Sequence, residues 1–232
     1  MIGIHLKSCG QNDLADDGKC AWDDGIRSGL DREWHDWKDP KKTCMVPDSF
    51  PSKRNNDVGA RAEEVVYNLL WQLGTQNSEP MFVVHSYVFS EHIPGYGGKR
   101  SWVMGESDFV VIHREHGLVF IQVKATKTGD KCKEAEDQLH KDKLALEKFF
   151  QRLEDEQKIS KRQVTEMFKN FPAFVAMPNC PRGVKSICGK ANVLCQEDCS
   201  SLEAFTKRWN EKICKAEHPK VMQSIFEYLI MR

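Results

Sequence analysis

The chain has 232 residues, enough for one sizeable domain with an extension or for two small ones. With 40% hydrophobic and 29% charged residues it suits a soluble globular protein. No stretch approaches the ~20 apolar residues of a membrane span. Its 34 basic residues are balanced by 34 acidic ones, so bulk positive charge is excluded as a source of nucleic-acid affinity; any basic groove must come from local segregation.

The N-terminal MIGIHLKSCGQNDLADDG lacks the apolar core of a signal peptide, so an intracellular location (nucleus or cytoplasm) is expected rather than secretion. Residues 1–56 hold few aliphatic side chains, many Asp, Lys and Gly, and Trp22, Trp34 and Trp37. They read as a poorly ordered or loosely packed extension ending in the proline-containing linker VPDSFPSKRNND. Its tryptophans could dock on the domain or on a protein partner. The remainder, 57–232, reads as one domain, and neither repeats nor low complexity are visible.

Asp57 is placed to cap a helix whose apolar stripe is Ala62, Val65, Val66, Leu69, Leu70 and Leu73. On the helical wheel Glu63 falls at the stripe's edge, roughly 80° from its centre, and Glu64 faces solvent. MFVVHSYVFS (81–90) reads as a strand. The Gly-rich EHIPGYGGKRSW that follows is either a plain connection or a phosphate-contacting loop, with Lys99 and Arg100 at its tip and Tyr96 or Trp102 stacking on a base. The P-loop spacing GxxxxGK[ST] is absent.

Two apolar runs, FVVI and LVFIQV, flank the turn HREHG in GESDFVVIHREHGLVFIQVKA (105–125), which predicts a β-hairpin. In an antiparallel pair the start of one strand lies beside the end of the next. Glu106 and Asp108 should therefore meet Gln122 and Lys124 at one end, each pair sharing a face. A carboxylate, a second oxygen ligand and an ammonium group are what metal-assisted phosphodiester cleavage uses. Glu106 reads as a second carboxylate there or as an edge residue paired with Lys124. His113 and His116 sit at the far end and read as solvent-exposed turn residues rather than ligands.

A long helix is expected over 132–157, its apolar face formed by Leu139, Lys143, Leu146, Phe149, Phe150 and Leu153. Gln138 and Lys141, three apart, share a face that either contacts substrate or is simply solvated. FPAFVAM (171–177) and ANVLCQ (191–196) read as strands. SLEAFTKRWNEKI reads as an amphipathic helix capped by Asp198 or Ser200, and KVMQSIFEYLIM as a further apolar helix. Cys180, Cys188, Cys195 and Cys199 cluster without the tight CxxC spacing, so free thiols are favoured over a zinc site and a disulfide framework is not expected.

Asp, then a hairpin, then (Asp/Glu)-X-Lys is the signature of the PD-(D/E)XK nuclease superfamily. The phrase GESDFVVIHREHGLVFIQVKA resembles, more narrowly, the nuclease-related domain, whose members read roughly Gly-Glu-Ile-Asp, strand, turn, strand, Glu-Val-Lys. GARAEEVVYNLL upstream and FPAFVAMPN and ANVLCQEDCSSLEAF downstream extend the resemblance over roughly residues 57–215. It implies an α/β, restriction-endonuclease-like sandwich with a mixed central sheet flanked by helices. It also implies a metal-dependent nuclease acting on DNA, with RNA a second candidate. By the same resemblance Glu63, Asp108, Gln122 and Lys124 form the catalytic set. Asp108, Gln122, the Val123 carbonyl and Glu63 (directly or through water) would hold Mg2+ or Mn2+, and Lys99, Arg100, Gln138 and Lys141 would contact nucleic acid. The chain departs from the pattern at Gln122, where an acid usually stands. One fewer anionic ligand implies a single metal bound weakly. The alternative is a catalytically inactive nuclease-fold module that binds nucleic acid or a protein.

Overall fold

The computed structural model describes residues 39, 41–50, 57–92, 102–113, 116–155, 160–162, 165 and 172–214. The tryptophans of the N-terminal segment, the loop tip with Tyr96, Lys99 and Arg100, the side chain of Trp102 and the C-terminal apolar segment lie outside the described residues.

Strands β1 (Cys44–Val46), β2 (Met81–His92), β3 (Trp102–His113), β4 (Gly117–Val123), β5 (Ala173–Ala176) and β6 (Val193–Leu194) form one mixed sheet in chain order. β2, β3 and β4 are an antiparallel meander. β1 joins β2 in parallel, and β5 and β6 extend β4 in parallel. Parallel neighbours need crossover connections. Helix α1 (Val58–Gln76) supplies the one between β1 and β2, and helix α2 (Cys132–Asp155) the one between β4 and β5. Helix α3 (Leu202–Trp209) follows β6 and continues as a π-helical turn, Asn210–Cys214. The fold is thus α/β, a mixed six-stranded sheet flanked by helices. No helix among the described residues is long and apolar enough to cross a membrane.

The hairpin strands are apolar on both faces because both faces are covered. Met81, Val83, Phe109, Val111, Val119 and Ile121 pack with α1 and α3. Phe82, Val110, Ile112, Leu118 and Phe120 pack with α2. Each such side chain contributes about 1.5–3 kcal/mol on full burial, so β3 and β4 are the most firmly anchored elements. Whatever they carry at their ends is held rigidly.

Asp57 caps α1 as its sequence position predicts, accepting the Gly59 N–H at 2.8 Å. Glu64 is exposed, as expected, but so is Val65; Tyr67 takes the buried place, its hydroxyl donating to the Pro47 carbonyl at 2.8 Å. A Cβ at Gly74 would overlap Thr43, so glycine lets the chain entering β1 approach the helix. β1 itself lies within the 1–56 segment, where the sequence suggested no strand; its pairing to β2 supplies the order that its three residues cannot.

Two further expectations need correction. The apolar stripe of α2 contains Ala135, Leu139, Leu146, Phe149 and Leu153, whereas Lys143 is half-buried and lies 3.9 Å from Glu147. The cap of α3 is Ser201, which accepts the Ala204 N–H at 3.2 Å. Asp198 is engaged instead by Arg182 and Cys195, and the Ser200 hydroxyl by the Glu197 carbonyl.

Candidate active site

The β3–β4 ladder ends at the pair Phe109–Ile121. One step further, where the Val123 N–H would continue it, the Asp108 carboxylate accepts that N–H at 2.6 Å. A side chain thus replaces a main-chain acceptor and is fixed against the end of β4. In a strand the N–H and C=O of one residue point to the same side, so the Val123 carbonyl is also directed toward β3.

Opposite Asp108 on the other side of β3 stands Ser86, with φ 56. His85 pairs with Phe109 and Tyr87 with Ser107, and the ladder skips Ser86 and Asp108 between them. The face alternation breaks there. His85 packs on Phe109, Tyr67 and Phe50 on the α1 side, while Tyr87, two residues on, packs against Ala145 of α2. Ser107 likewise reaches Asp142 of α2, although Phe109 faces α1. A left-handed non-glycine residue costs about 1–2 kcal/mol. Such a kink re-aims side chains, and here it turns Asp108 toward the strand end.

Glu63, half-buried on α1, lies over β2 with Oε2 3.0 Å from His85 Nε2. Gln122, two residues on from Phe120, shares its face toward α2; it is 3% exposed and its Oε1 has no partner. Lys124 Nζ lies 3.3 Å from Glu134 Oε1 of α2, so its ion-pair partner is Glu134 rather than Glu106, which is exposed. Glu134 is shared with Lys131 at 2.9 Å. Gln138 is half-buried with a partnerless buried Oε1, whereas Lys141 is exposed.

Burial pushes the Asp108 carboxyl up to about 7; the Val123 N–H opposes this, Glu63 adds to it, Lys124 opposes it and Glu106 adds to it. Asp142 of α2, which the sequence reading passed over, is 3% exposed and its Oδ2 has no partner. Its carboxyl is also raised to about 7, first by burial and then by the charge of Asp108, against the Ser107 hydroxyl and Lys141. Among the described residues, the partnerless buried side-chain oxygens are those of Gln122, Gln138 and Asp142, all at this end of the hairpin. His85 was missed as well, although the alternation in MFVVHSYVF marks it as inward-facing.

The opposite end differs from expectation. His113 is fully buried, with Nε2 2.9 Å from Glu79 Oε2 and Nδ1 accepting the His116 N–H at 3.2 Å. Glu79, His113 and His116 are the one group among the described residues whose ligand-type atoms all lie within 4.8 Å of one another. An Nδ1 that accepts a hydrogen bond leaves the proton on Nε2, where it is donated to Glu79. This arrangement is complete without an ion. The six described cysteines are free thiols; Cys180, Cys195 and Cys199 are buried. The Cys195 thiol lies 3.0 Å from Asp198 Oδ2, and burial pushes it up to about 11, which opposes a thiolate ligand.

Comparisons with protein-family models, curated proteins and solved structures found no match for this chain.

Proposed function

We propose that the chain is a metal-dependent phosphodiesterase that hydrolyses DNA, built on the restriction-endonuclease-like sandwich that its hairpin sequence resembles. The mixed sheet with helices on both faces is consistent with that sandwich. The observation that carries the reading is the convergence at one rigid strand end: Asp108 fixed by the Val123 N–H, Gln122 and Lys124 on the adjoining strand, and Glu63 approaching from α1. RNA is the second substrate candidate.

The donor set fits a hard divalent ion. Asp108, Gln122 and the Val123 carbonyl offer oxygens, the buried Gln122 Oε1 has no other partner, and Glu63 is close enough to raise the Asp108 carboxyl. Mg2+ and Mn2+ favour oxygen ligands of this kind. Bound there, such an ion would polarise a phosphate and acidify a coordinated water. The chain's own groups have defined tasks. Asp108 is positioned by the backbone and needs no rearrangement. Lys124 is the cation at the site and would stabilise charge building on phosphate oxygens. A substrate phosphate competes with Glu134 for Lys124, and Glu134 retains Lys131 when displaced. His85 orients Glu63 through its Nε2 contact.

Cleavage of labelled single- and double-stranded DNA with Mg2+ or Mn2+, wild type beside Lys124→Ala, tests the reading. Cleavage confined to the wild type supports it. Equal cleavage by both removes the hairpin from the chemistry. Absence of cleavage by either, in both metals, favours the second reading, a silent nuclease-fold module that binds nucleic acid or a protein; the amide in place of an acid at Gln122 is the feature that favours it.

A further inference from the structure

The strand end described above carries one acid, Asp108, on β3, and an amide, Gln122, on β4. The helix that covers those strands brings another acid to the same place. Ala135, Leu139, Asp142, Leu146, Phe149 and Leu153 recur at alternating spacings of four and three along α2, so Asp142 occupies a core position of an amphipathic helix. A carboxyl in that position is costly unless it is partnered. Asp142 is 3% exposed, and its Oδ2 has no partner.

The path of α2 places it. Glu134 meets Lys124 at the end of β4, Asp142 meets Ser107 of β3, and Ala145 packs against Tyr87 of β2. The helix therefore crosses the sheet from β4 over β3 to β2. Glu134, Gln138 and Asp142 are successive members of one i, i+4 row. Gln138 accordingly lies between the Lys124 and Ser107 contacts, above the level at which Asp108 and Gln122 stand on adjoining strands. Strands are about 4.8 Å apart and a helical turn advances about 5.4 Å, so the row and the strand ends are matched in scale. The oxygens of Gln122, Gln138 and Asp142 that this arrangement gathers are acceptors. Acceptor oxygens cannot satisfy one another, and the single Ser107 hydroxyl proton is also within reach of the Phe109 carbonyl at 3.4 Å. A divalent cation takes several oxygens at once.

Resting on the metal-dependent reading above, we propose that Asp142 supplies the carboxylate that Gln122 lacks, so that a divalent cation is held between the β3–β4 strand ends and α2 by Asp108, Gln122 and Asp142. The acid of the site is then distributed between sheet and helix, and α2 is part of the metal centre rather than only its cover.

The test is Mn2+ binding to the full chain, followed by the paramagnetic resonance signal of free Mn2+ and by the metal-induced rise in melting temperature. Wild type is compared with Asp108→Asn, Asp142→Asn, Gln122→Glu and the double variant Asp142→Asn/Gln122→Glu. Asp142→Asn is expected to weaken Mn2+ binding at least about tenfold, the least loss expected even of a residue one shell further from a metal, without lowering the melting temperature of the metal-free protein. Gln122→Glu is expected to tighten binding, and in the double variant to restore it. Wild-type affinity in Asp142→Asn, with binding lost in Asp108→Asn, would overturn the role of Asp142 and leave the metal site standing. Absence of Mn2+ binding by the wild type would overturn the metal-dependent reading itself. Should Asp142→Asn fail to fold, unchanged affinity in Gln122→Glu would overturn the proposal alone.

Discussion

The two ends of the β3–β4 hairpin bury polar groups in the same sheet and treat them oppositely. At the turn end, His113 uses both ring nitrogens, one toward Glu79 and one toward the His116 N–H, and so ties the approach to β2 onto the hairpin. At the other end Asp108 is fixed by a backbone N–H, but Gln122, Gln138 and Asp142 hold acceptor oxygens without donors. Polar burial that is internally complete fastens a fold. Polar burial that leaves acceptors open is poised for a group from outside the chain. The composition of the clusters misleads here: the Glu-His-His end has the more metal-like residues, and the oxygen-rich end has the unmet bonding capacity.

The sharpest way to break this comparison is to exchange the consequences of mutation at the two ends. Lys124→Ala and Asp108→Asn are each expected to lower DNA cleavage by about a hundredfold to a thousandfold or more, the scale of losing one group that stabilises developing charge. Glu79→Gln, at the turn end, is expected to leave the rate unchanged. Single-turnover rates on the same labelled duplex check all three. A large loss in Glu79→Gln would move the chemistry to the turn end.

Acidity gives the next largest effect. Asp108 and Asp142 both titrate near 7 in the folded chain and near 3.8 in the unfolded one. Between those values the folded state binds more protons, so the stability these two groups contribute is full below about 3.8 and is lost as pH rises through about 7. The fall is expected to be a few kcal/mol for each group, with the two coupled. Melting temperature against pH in the presence of a chelator measures it. Asp108→Asn and Asp142→Asn should flatten the curve, and saturating Mn2+ should reverse it by favouring the ionised carboxylates. At the turn end the sign is opposite: Glu79→Ala removes the carboxylate 2.9 Å from a buried imidazole and is expected to destabilise by about 1–3 kcal/mol, read from chemical denaturation.

Sequence patterns made much of this legible, and the exceptions have physical reasons. The hairpin, the Asp57 cap and the two long helices follow from local periodicity and turn chemistry. Asp142 was readable too, since its 135/139/142/146/149/153 row places an acid in an apolar stripe, flanked by the charged Lys141 and Lys143. The kink at Ser86 was not readable. No glycine or proline marks it, and it arises where strands distant in sequence meet, so the exchange of faces by Tyr87 and Ser107 depends on tertiary pairing. β1 was hidden for the same reason: three residues carry no period, and their order comes from β2. The break in alternation also limits the argument that Glu106 and Asp108 share a face, and Glu106 stands in solvent.

The smallest effect concerns Glu134, which joins the active end to α2. Its carboxylate is split between Lys131 at 2.9 Å and Lys124 at 3.3 Å, and the two lysines, Lys131 first, lower its pKa. Because Glu134 is exposed, the Lys124 pair is a weak one. Yet it occupies the ammonium group that a substrate phosphate would need. Glu134→Gln should therefore lower KM for DNA by about twofold to fivefold, the equivalent of that weak pair, with kcat nearly unchanged. Added salt should shrink the difference, since it screens both competitors for Lys124. A fall in kcat instead would mean that Glu134 holds Lys124 in its working position, which would make the ion pair a part of the catalytic arrangement rather than a gate on it.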